Sequence, residues 1–249
     1  MNQPLRALVF DVDGTLADTE RFHLRAFNQA FADEGLDWKW DEALYTELLE
    51  ISGGKERMLY YWRQSRPQVV DIDGSAIVHL VERLHLAKTA IYEAMVNDGL
   101  VELRPGVLIL MDEARRRGLQ LAIATTNSPV NVAALLRRAV GPNWRLEFPV
   151  VCDASTAPRK KPHPQVYHQA LERLGVAAAA AVAFEDSSNG LRAATAAGMD
   201  TVVTPTSFTK KHDFSGALRV LPSLAGVSVD QLTEWRASRV RAAQAVGAA

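Results

Sequence analysis

From about residue 100 onward, short apolar runs alternate with stretches of helical periodicity, and this alternation most constrains the fold. Strand-length runs separated by helices imply crossover connections, which give a parallel sheet covered by helices on both faces. We therefore predict an α/β protein with a Rossmann-like, doubly wound parallel sheet. The apolar runs are LQLAIAT (119–125), FPVVCD (148–153), AAAVAFED (179–186) and DTVVTP (200–205), and the helical stretches lie near 129–140, 163–174 and 188–197.

A long helical stretch interrupts this pattern near the start of the chain. ALVFD (7–11) has the composition of a further buried strand, but about eighty residues of helical pattern separate it from the next strand–helix unit. The pattern predicts a helical cap domain at residues 19–97, inserted into a core domain formed by residues 1–18 and 98–249. Apolar side chains at helical spacing mark two of the cap helices: Phe22, Ala26, Phe27, Ala30 and Phe31 in one, and Ile77, Leu80, Val81, Leu84 and Ile91 in the other.

The composition excludes several classes of protein. The chain has 249 residues, 48% of them hydrophobic, which is enough for one large domain or two modest ones. A formal net charge of −1 argues against nucleic acid as the main partner, because such proteins usually carry a basic excess. The single cysteine, Cys152, rules out an internal disulfide framework. We see no secretory leader and no run near the roughly 18 apolar residues of a membrane span, so we expect a cytoplasmic protein without a membrane partner, monomeric by default.

Charged and polar side chains follow several of the predicted strands. Ligands of open α/β sheets bind beyond the carboxyl ends of the strands, so these side chains are expected to meet at one edge of the sheet. They are Asp11 and Asp13 after the first strand, Thr125, Thr126 and Asn127 after the second, Lys160 and Lys161 in a loop after the third, and Glu185 and Asp186 after the fourth.

This set of side chains favours phosphoryl chemistry. Crowded carboxylates need a counter-ion, or some of them must be protonated. Mg²⁺ meets that need, since it commonly takes one or two carboxylates, waters and a substrate phosphate, while the lysine and hydroxyls hold the other phosphoryl oxygens. Asp11 and Asp13 are two residues apart, so both side chains leave an extended backbone on the same side. One of them can attack phosphorus as a nucleophile while the other handles protons.

Four motifs, in this order, resemble those of the haloacid dehalogenase-like phosphohydrolases: DVDGT (11–15), Thr125–Asn127, Lys161-Pro162 and EDSSNGLRAATAAGM (185–199). The resemblance covers nearly the full chain, and the helical insert resembles the C1-type cap of that family. Two cap segments, ADTERFHLRAFN (17–28) and ISGGKERM (51–58), are similar to the CbbY branch, which is related to the β-phosphoglucomutases. The resemblance implies a Mg²⁺-dependent sugar-phosphate phosphatase that acts through an aspartyl-phosphate.

The resemblance also implies roles for the charged motif residues. Asp11 is implied to be the nucleophile and a Mg²⁺ ligand. Asp13 is implied to be the general acid and base, with its backbone carbonyl on the metal. Asp186 is implied to be a metal ligand, with Glu185 binding directly or through water, and Lys161 is implied to bridge the phosphate and the nucleophile.

The hydroxyl motif and the cap are less sharply defined. Either Thr125 or Thr126 is implied to bind the phosphoryl group, because the doubled threonine leaves the register open by one residue. Lys160, beside the motif lysine, is interpreted as a solvated surface residue. The residues implied to contact substrate are Asn127 and, in the cap, Glu20, His23, Gly54, Lys55, Arg57 and Lys88.

The substrate comes from the resemblance alone. CbbY proteins dephosphorylate xylulose 1,5-bisphosphate, a Rubisco inhibitor, to xylulose 5-phosphate and are associated with the Calvin cycle. One phosphate would lie at the metal, while Lys55 and Arg57 hold the distal one and help to close the cap. A β-phosphoglucomutase-like mutase and a phosphatase of another small phosphosugar remain as alternatives. A non-catalytic binding module is disfavoured, because Asp11, Asp13 and Lys161 are all present.

Overall fold

A six-stranded parallel sheet organises the part of the chain that the structure, a computed structural model, describes: residues 3–65 and 74–247. The strands are β1 (Ala7–Phe10), β2 (Gln120–Ala124), β3 (Val150–Cys152), β4 (Ala181–Glu185), β5 (Asp200–Val203) and β6 (Arg219–Val220). Their order in the sheet is β3-β2-β1-β4-β5-β6, and every pairing is parallel. The predicted doubly wound α/β fold is therefore confirmed.

The central strands β1, β2 and β4 are almost entirely apolar because helices cover both faces of the sheet. Along β1, Leu8 and Phe10 point into one apolar cluster, and Ala7 and Val9 point into the other. About half of the second cluster is alanine, and five of these alanines lie on the central strands: Ala7, Ala122, Ala124, Ala181 and Ala183. The helices that cover the sheet are α5 (Val107–Arg116), α6 (Pro129–Ala139), α7 (Trp144–Glu147), α8 (Gln165–Leu174), α9 (Ser188–Ala196) and α10 (Val229–Gly247).

Helices fill the interval between β1 and α5. They are α1 (Glu20–Asp33), α2 (Glu42–Leu48), α3 (Gly54–Ser65) and α4 (Ser75–Asn97), and residues 66–73 lie outside the described part of the chain. Most of their buried side chains form a separate aromatic cluster that includes Phe27, Phe31 and Trp40. The C-terminal end of α4 joins the cluster of the sheet instead, through Tyr92, Met95 and Val96. The domain boundaries at 1–18, 19–97 and 98–249 remain predictions.

The sequence pattern did not predict the edge strand beyond β5. β6 has two residues, Arg219 and Val220, and both are exposed, so neither apolar run nor alternation marks it. The helix α10 that follows is tied to the sheet by Arg236, which is buried and lies 3.3 Å from Asp200. Across the described residues, no helix is both long enough and apolar enough to span a bilayer.

Candidate active site

The carboxyl ends of β1 and β4 and the loop after β3 bring four charged side chains together. Lys161 donates to Oδ1 of Asp11 at 2.6 Å and to the backbone carbonyl of Ala124 at 2.9 Å. The same ammonium lies 2.7 Å from Oε1 of Glu185, so one lysine joins carboxylates from two neighbouring strands. Asp186 follows directly in the chain, and all four charged side chains are buried. Three of the four sequence motifs thus contribute to one cluster.

Tyr167 of α8 supports this cluster from one side. Its hydroxyl donates to Oε1 of Glu185, and its ring centroid lies 5.2 Å from Nζ of Lys161, within the range of a cation–π contact. Burial alone lowers the pKa of Lys161, but Asp11 and Glu185 outweigh burial and raise it above the ordinary lysine value. Lys161 is therefore a permanent cation at neutral pH.

The cluster holds more negative than positive charge. Asp11, Glu185 and Asp186 each offer a carboxylate oxygen, and these oxygens lie within 4.8 Å of one another. Burial raises the pKa of Asp11 to about 7, against the opposing effect of Lys161 and with help from Glu185 and Asp13. Burial also raises the pKa of Asp186 well above its usual range, and Asp11 and Glu185 add to that shift. Three buried carboxylates facing one ammonium are a donor set that a hard divalent cation stabilises, so these residues fit the predicted Mg²⁺.

A glycine lets the turn after β1 reach this cluster. Gly14 has a φ of 74°, and a Cβ at this position would lie 2.2 Å from Oδ2 of Asp186. Thr209 donates to the same oxygen at 3.2 Å from the loop after β5. Any larger residue at position 14 would displace the Asp186 carboxylate, so the glycine of the first motif sets the geometry of the fourth.

The carboxylate of Asp13 lies among polar side chains of the cap and of the loop after β2. Thr19 donates to Oδ1 at 2.7 Å, Nε2 of His23 lies 2.9 Å from the same oxygen, and Asn127 donates to Oδ2 at 2.7 Å. Burial by itself would raise the pKa of Asp13, but His23, Thr19 and Lys88 together lower it to about 2. Asp13 is therefore a carboxylate that three neighbouring donors hold in place.

His23 links this carboxylate to a buried lysine of α4. Lys88 Nζ lies 2.9 Å from Nδ1 of His23, and because an ammonium only donates, Nε2 carries the ring proton and donates to Asp13. The His23 ring stacks on Tyr92 at a centroid distance of 4.0 Å. Burial lowers the pKa of Lys88 to about 8, although Asp13 and Glu20 oppose the shift. The cap thus reaches Asp13 through two side chains, Lys88 and His23.

Lys88→Met should change how the free energy of unfolding depends on pH. Between pH 8 and 10.5 the unfolded chain holds the Lys88 proton more tightly than the folded one, so this residue makes wild-type stability rise across that interval. The variant lacks that rise and should be the more stable protein at pH 7, by about 1 to 3 kcal/mol, with the difference shrinking toward pH 10. Denaturant unfolding of both proteins at the two pH values measures this, and a difference that does not change with pH would contradict it.

The structure separates the two adjacent threonines. Thr125 is buried, and its Oγ1 accepts the backbone N–H of Asn127 at 3.2 Å. Thr126, one residue further along, lines the cavity that also contains Asp11 and Lys161. Thr126 therefore lies at the surface of the cavity, while Thr125 is buried beneath it and organises the loop.

Thr126→Ala should lower kcat/KM for phosphate release about 10- to 100-fold, because we expect the hydroxyl at the cavity surface to bind a phosphoryl oxygen. Thr125→Ala makes the same change one residue earlier and is the matched control. It should leave kcat/KM within about threefold and cost on the order of 1 kcal/mol in the free energy of unfolding. Steady-state kinetics on both variants decides the register, and the reverse pattern would give the motif hydroxyl to Thr125.

A cavity of about 410 Å³ lies between the sheet edge and the cap helices. It is lined by all the predicted site residues except Thr125. The predicted residues in its wall are Asp11, Asp13, Glu20, His23, Gly54, Lys55, Arg57, Lys88, Thr126, Asn127, Lys161, Glu185 and Asp186. One cavity thus brings the predicted cap residues and the predicted core residues together.

Arg57 and Lys55 are held differently within this wall. The guanidinium of Arg57 is buried and donates to the backbone carbonyls of Leu48 and Ile51, at 3.0 and 3.2 Å. The third nitrogen of the guanidinium, Nη1, donates to the Tyr45 hydroxyl at 3.2 Å. Lys55 is about half exposed and lies 3.8 Å from Glu82. Lys55 can therefore turn toward a bound anion more readily, and Arg57 also supports the cap fold.

Sequence reasoning missed several residues of this cavity wall. Lys160, interpreted as a solvated residue, instead lines the cavity and pairs with Glu56 of the cap at 2.6 Å. Tyr45, which is buried and does not itself line the cavity, donates to Glu20 at 2.7 Å and orients that carboxylate. Single tyrosines and histidines carry no motif, so only the fold places them here. The other unpredicted polar members of the wall are Ser52, His85, Ser128, Ser155, Ser187, Asn189, Thr209 and His212.

Known proteins resemble this chain along most of its length. A family model described as haloacid dehalogenase-like hydrolase matches residues 5–198. The plasmid form of protein CbbY from Cupriavidus necator is 53% identical over 220 residues, 88% of this chain and 86% of that protein. A crystal structure of a CbbY mutant from Rhodobacter sphaeroides in complex with xylulose 1,5-bisphosphate has a TM-score of 0.84 at 42% identity, covering 91% of this chain and 98% of that one. β-Phosphoglucomutase from Clostridium difficile shares the fold, with a TM-score of 0.74 at 20% identity over 95% of this chain and 99% of that one. The predicted resemblance is confirmed.

Proposed function

Because the chain belongs to the haloacid dehalogenase-like hydrolase family, we propose that it is a Mg²⁺-dependent phosphatase that forms an aspartyl-phosphate on Asp11. Family membership confirms the prediction of a hydrolytic enzyme of the phosphatase type. The observation that carries the proposal is the buried 2.6 Å contact between Lys161 and Asp11 at the open end of the sheet. A carboxylate held against a permanent cation is suited to attack a phosphorus atom whose oxygens need positive charge.

The reaction divides into two displacements at phosphorus. In the first, an oxygen of Asp11 attacks phosphorus, the bond between phosphorus and the sugar oxygen breaks, and that oxygen takes a proton from Asp13. In the second, Asp13 takes a proton from water, the water oxygen attacks phosphorus, and inorganic phosphate leaves as Asp11 is regenerated. Lys161 and Thr126 bind the phosphoryl oxygens in both steps.

Asp13 must change its contacts during this cycle. With a pKa lowered to about 2 by His23, Thr19 and Lys88, it is a carboxylate that can accept a proton from water. To donate a proton to the sugar oxygen it has to be protonated first, which requires some of those donors to turn away. Two of the donors, Thr19 and His23, lie at the start of the cap, so cap movement on substrate binding is a physical route to that change.

Asp11, Glu185 and Asp186 are the side chains that would hold Mg²⁺, and the Asp13 carbonyl is added by resemblance. The ion supplies positive charge that offsets the carboxylates and the phosphoryl oxygens. Glu185 already accepts from Lys161 and Tyr167 through Oε1 and from the Asp186 N–H through Oε2 at 3.3 Å. These contacts favour an interaction of Glu185 with the ion through water.

We propose a sugar carrying two phosphates, xylulose 1,5-bisphosphate, as the substrate, with xylulose 5-phosphate as the product. The bound bisphosphate in the similar Rhodobacter sphaeroides structure and the 53% identity to the Cupriavidus necator CbbY protein support this choice. In this chain, the cap side of the cavity carries Lys55, Arg57 and Lys88, which suit a second phosphate away from Asp11. The same proposal includes an association with the Calvin cycle. It also includes a cytoplasmic location, a monomeric state and the absence of nucleic-acid or membrane partners.

A phosphosugar mutase is the second candidate. The observation in its favour is the His23–Asp13 contact at the entry to the cap, a position that resembles the mutases. A mutase must return the phosphoryl group to the sugar, so it must keep water away from the aspartyl-phosphate. Net release of inorganic phosphate from the sugar would decide against it.

The proposed function is tested by Mg²⁺-dependent phosphate release, measured as kcat/KM on four substrates. They are xylulose 1,5-bisphosphate, ribulose 1,5-bisphosphate, xylulose 5-phosphate and β-glucose 1-phosphate. A strong preference for xylulose 1,5-bisphosphate is expected. Flat, weak release across the panel would remove the proposed substrate, and conversion of β-glucose 1-phosphate to a 6-phosphate without phosphate release would replace the phosphatase by the mutase.

Lys55→Gln should raise KM for the bisphosphate about tenfold and for β-glucose 1-phosphate by less than about threefold, because it removes a cation from the distal-phosphate region only. Arg57→Ala should show the same preference, together with a lower melting temperature, since Arg57 also binds two cap carbonyls. Steady-state kinetics with both substrates makes the comparison. Equal effects of Lys55→Gln on the two KM values would mean that Lys55 does not bind the distal phosphate.

A further inference from the structure

The cap segment Glu50–Glu56 joins α2 to the first turn of α3 and touches the core at several points. We propose that an ion pair between Glu56 in this segment and Lys160 in the core is a positioning pair, which seats the segment over the cavity in its substrate-binding conformation. The proposal rests on the proposed function, because the segment carries Gly54 and Lys55 and is followed directly by Arg57.

The pair spans the cap and the core. Nζ of Lys160 donates to both carboxylate oxygens of Glu56, at 2.7 and 2.6 Å. The two residues are 104 positions apart, one at the start of α3 and the other in the loop between β3 and α8. The side chain of Lys160 is 21% exposed and that of Glu56 is 47% exposed, so the lysine end of the pair is better shielded from solvent than the carboxylate end. Its neighbour Lys161 points the other way, into the buried carboxylate cluster, so the two lysines serve different partners.

Gly53 makes room for this pair. Its φ is 102°, and a Cβ on it would lie 2.2 Å from both Oε2 of Glu56 and Nζ of Lys160. The ion pair therefore lies directly over the backbone of the cap segment. A residue with a side chain at position 53 would have to push the two charges apart or lift the segment from the core.

Two further contacts fix the other end of the same segment. Asn189 at the start of α9 donates to the backbone carbonyl of Glu50 at 3.0 Å. Nε2 of His212, in the loop after β5, lies 3.2 Å from the Glu50 carboxylate. The segment is thus held at both ends by core residues, and the Lys160–Glu56 pair holds the end that carries the substrate-facing residues.

Loss of the pair should weaken substrate binding more than chemistry. Without it, part of the substrate's binding energy must seat the segment, so KM rises, while a bound and closed complex reacts normally. We expect Glu56→Gln to raise KM for xylulose 1,5-bisphosphate about three- to tenfold and to change kcat by less than twofold. Lys160→Gln should do the same, because each change removes the same interaction.

The test is a double-mutant cycle on the full-length protein, with Glu56→Gln, Lys160→Gln, the double variant and the charge-swapped variant Glu56→Lys/Lys160→Glu. If the pair acts as a unit, the double variant has a KM no higher than the worse single variant, and the charge swap recovers at least half of the loss. The proposal is overturned if Lys160→Gln raises KM by the same factor in the wild-type protein and in the Glu56→Gln variant. That result would mean that Lys160 binds substrate directly. Asp112→Asn, which breaks an exposed pair with Arg116 on α5, is the matched control and should leave KM unchanged.

Hydrogen–deuterium exchange separates this proposal from the proposed function, because it needs no turnover. Backbone amides of residues 50–56 should exchange faster in Glu56→Gln and Lys160→Gln than in the wild type, and the charge swap should slow them again. Unchanged exchange in both single variants would overturn the positioning role even if the enzyme releases phosphate as proposed. Faster exchange in a protein that releases no phosphate would keep the positioning pair and reject the proposed function.

Discussion

Asp11→Asn is expected to lower kcat for phosphate release by at least about 1,000-fold while the chain keeps its fold. The amide has the shape of the carboxylate but cannot form the acyl phosphate. Lys161 stays paired with Glu185 at 2.7 Å, and one of three buried carboxylates is removed, so the melting temperature without Mg²⁺ should match or exceed that of the wild type. Phosphate-release kinetics and thermal unfolding of the purified variant make the measurement.

The control for this substitution is Asp112→Asn, the same chemical change on the exposed face of α5, which should leave kcat unaltered. A folded Asp11→Asn protein that keeps more than a tenth of wild-type kcat would remove Asp11 as the nucleophile. Asp13 would then be the carboxylate to examine, because it lies on the same turn at the mouth of the cavity.

Removing Mg²⁺ should have an effect of similar size. Chelation should reduce phosphate release by at least about 100-fold, and added Mg²⁺ should restore it, because three buried carboxylates otherwise repel a phosphate dianion. Binding should also stabilise the resting protein, by about 2.7 kcal/mol when the ion is present at 100 times its Kd. The readouts are the phosphate-release rate and the melting temperature with and without the ion.

Asp186→Asn separates a metal effect from a general salt effect. It should remove most of the Mg²⁺-induced rise in melting temperature, whereas Asp112→Asn should keep it. A wild-type protein that works at full rate in excess chelator, or an Asp186→Asn variant that Mg²⁺ stabilises as strongly as the wild type, would refute the proposed metal site.

The sequence predicts the sheet and the charged cluster because both follow from local patterns. A strand buried on both faces must be apolar, and parallel strands place their carboxyl ends together, so Asp11, Lys161 and Glu185 had to come near one another. The same patterns do not decide which of the two adjacent threonines faces the cavity. Thr125 and Thr126 have the same side chain, and only the exact end of β2 at Ala124 decides which one faces the cavity.

Contacts between side chains that lie far apart in the chain could not be predicted from the sequence either. Tyr167 sits on an ordinary helix face, and its bond to Glu185 depends on how α8 packs on the sheet. The sequence analysis interprets Lys160 as a solvated residue and does not predict its pairing with Glu56, because nothing local connects two residues from different halves of the chain. Sequence spacing identifies the residues that we propose to act on the phosphoryl group, whereas tertiary packing determines the shape of the cavity above them.

The alanine-rich side of the sheet limits how this protein can be altered. Ala122, Ala124, Ala181 and Ala183 let α8 and α9 approach the strands closely. Those two helices carry Tyr167, which holds Glu185, and Asn189, which holds the cap segment. Filling that face with larger side chains would move the helices outward, at a cost of about 1 to 3 kcal/mol in strain, and would shift the active-site partners with them. Substitutions meant to raise stability are better placed on the opposite face of the sheet, because a change of side-chain volume there does not move α8 and α9.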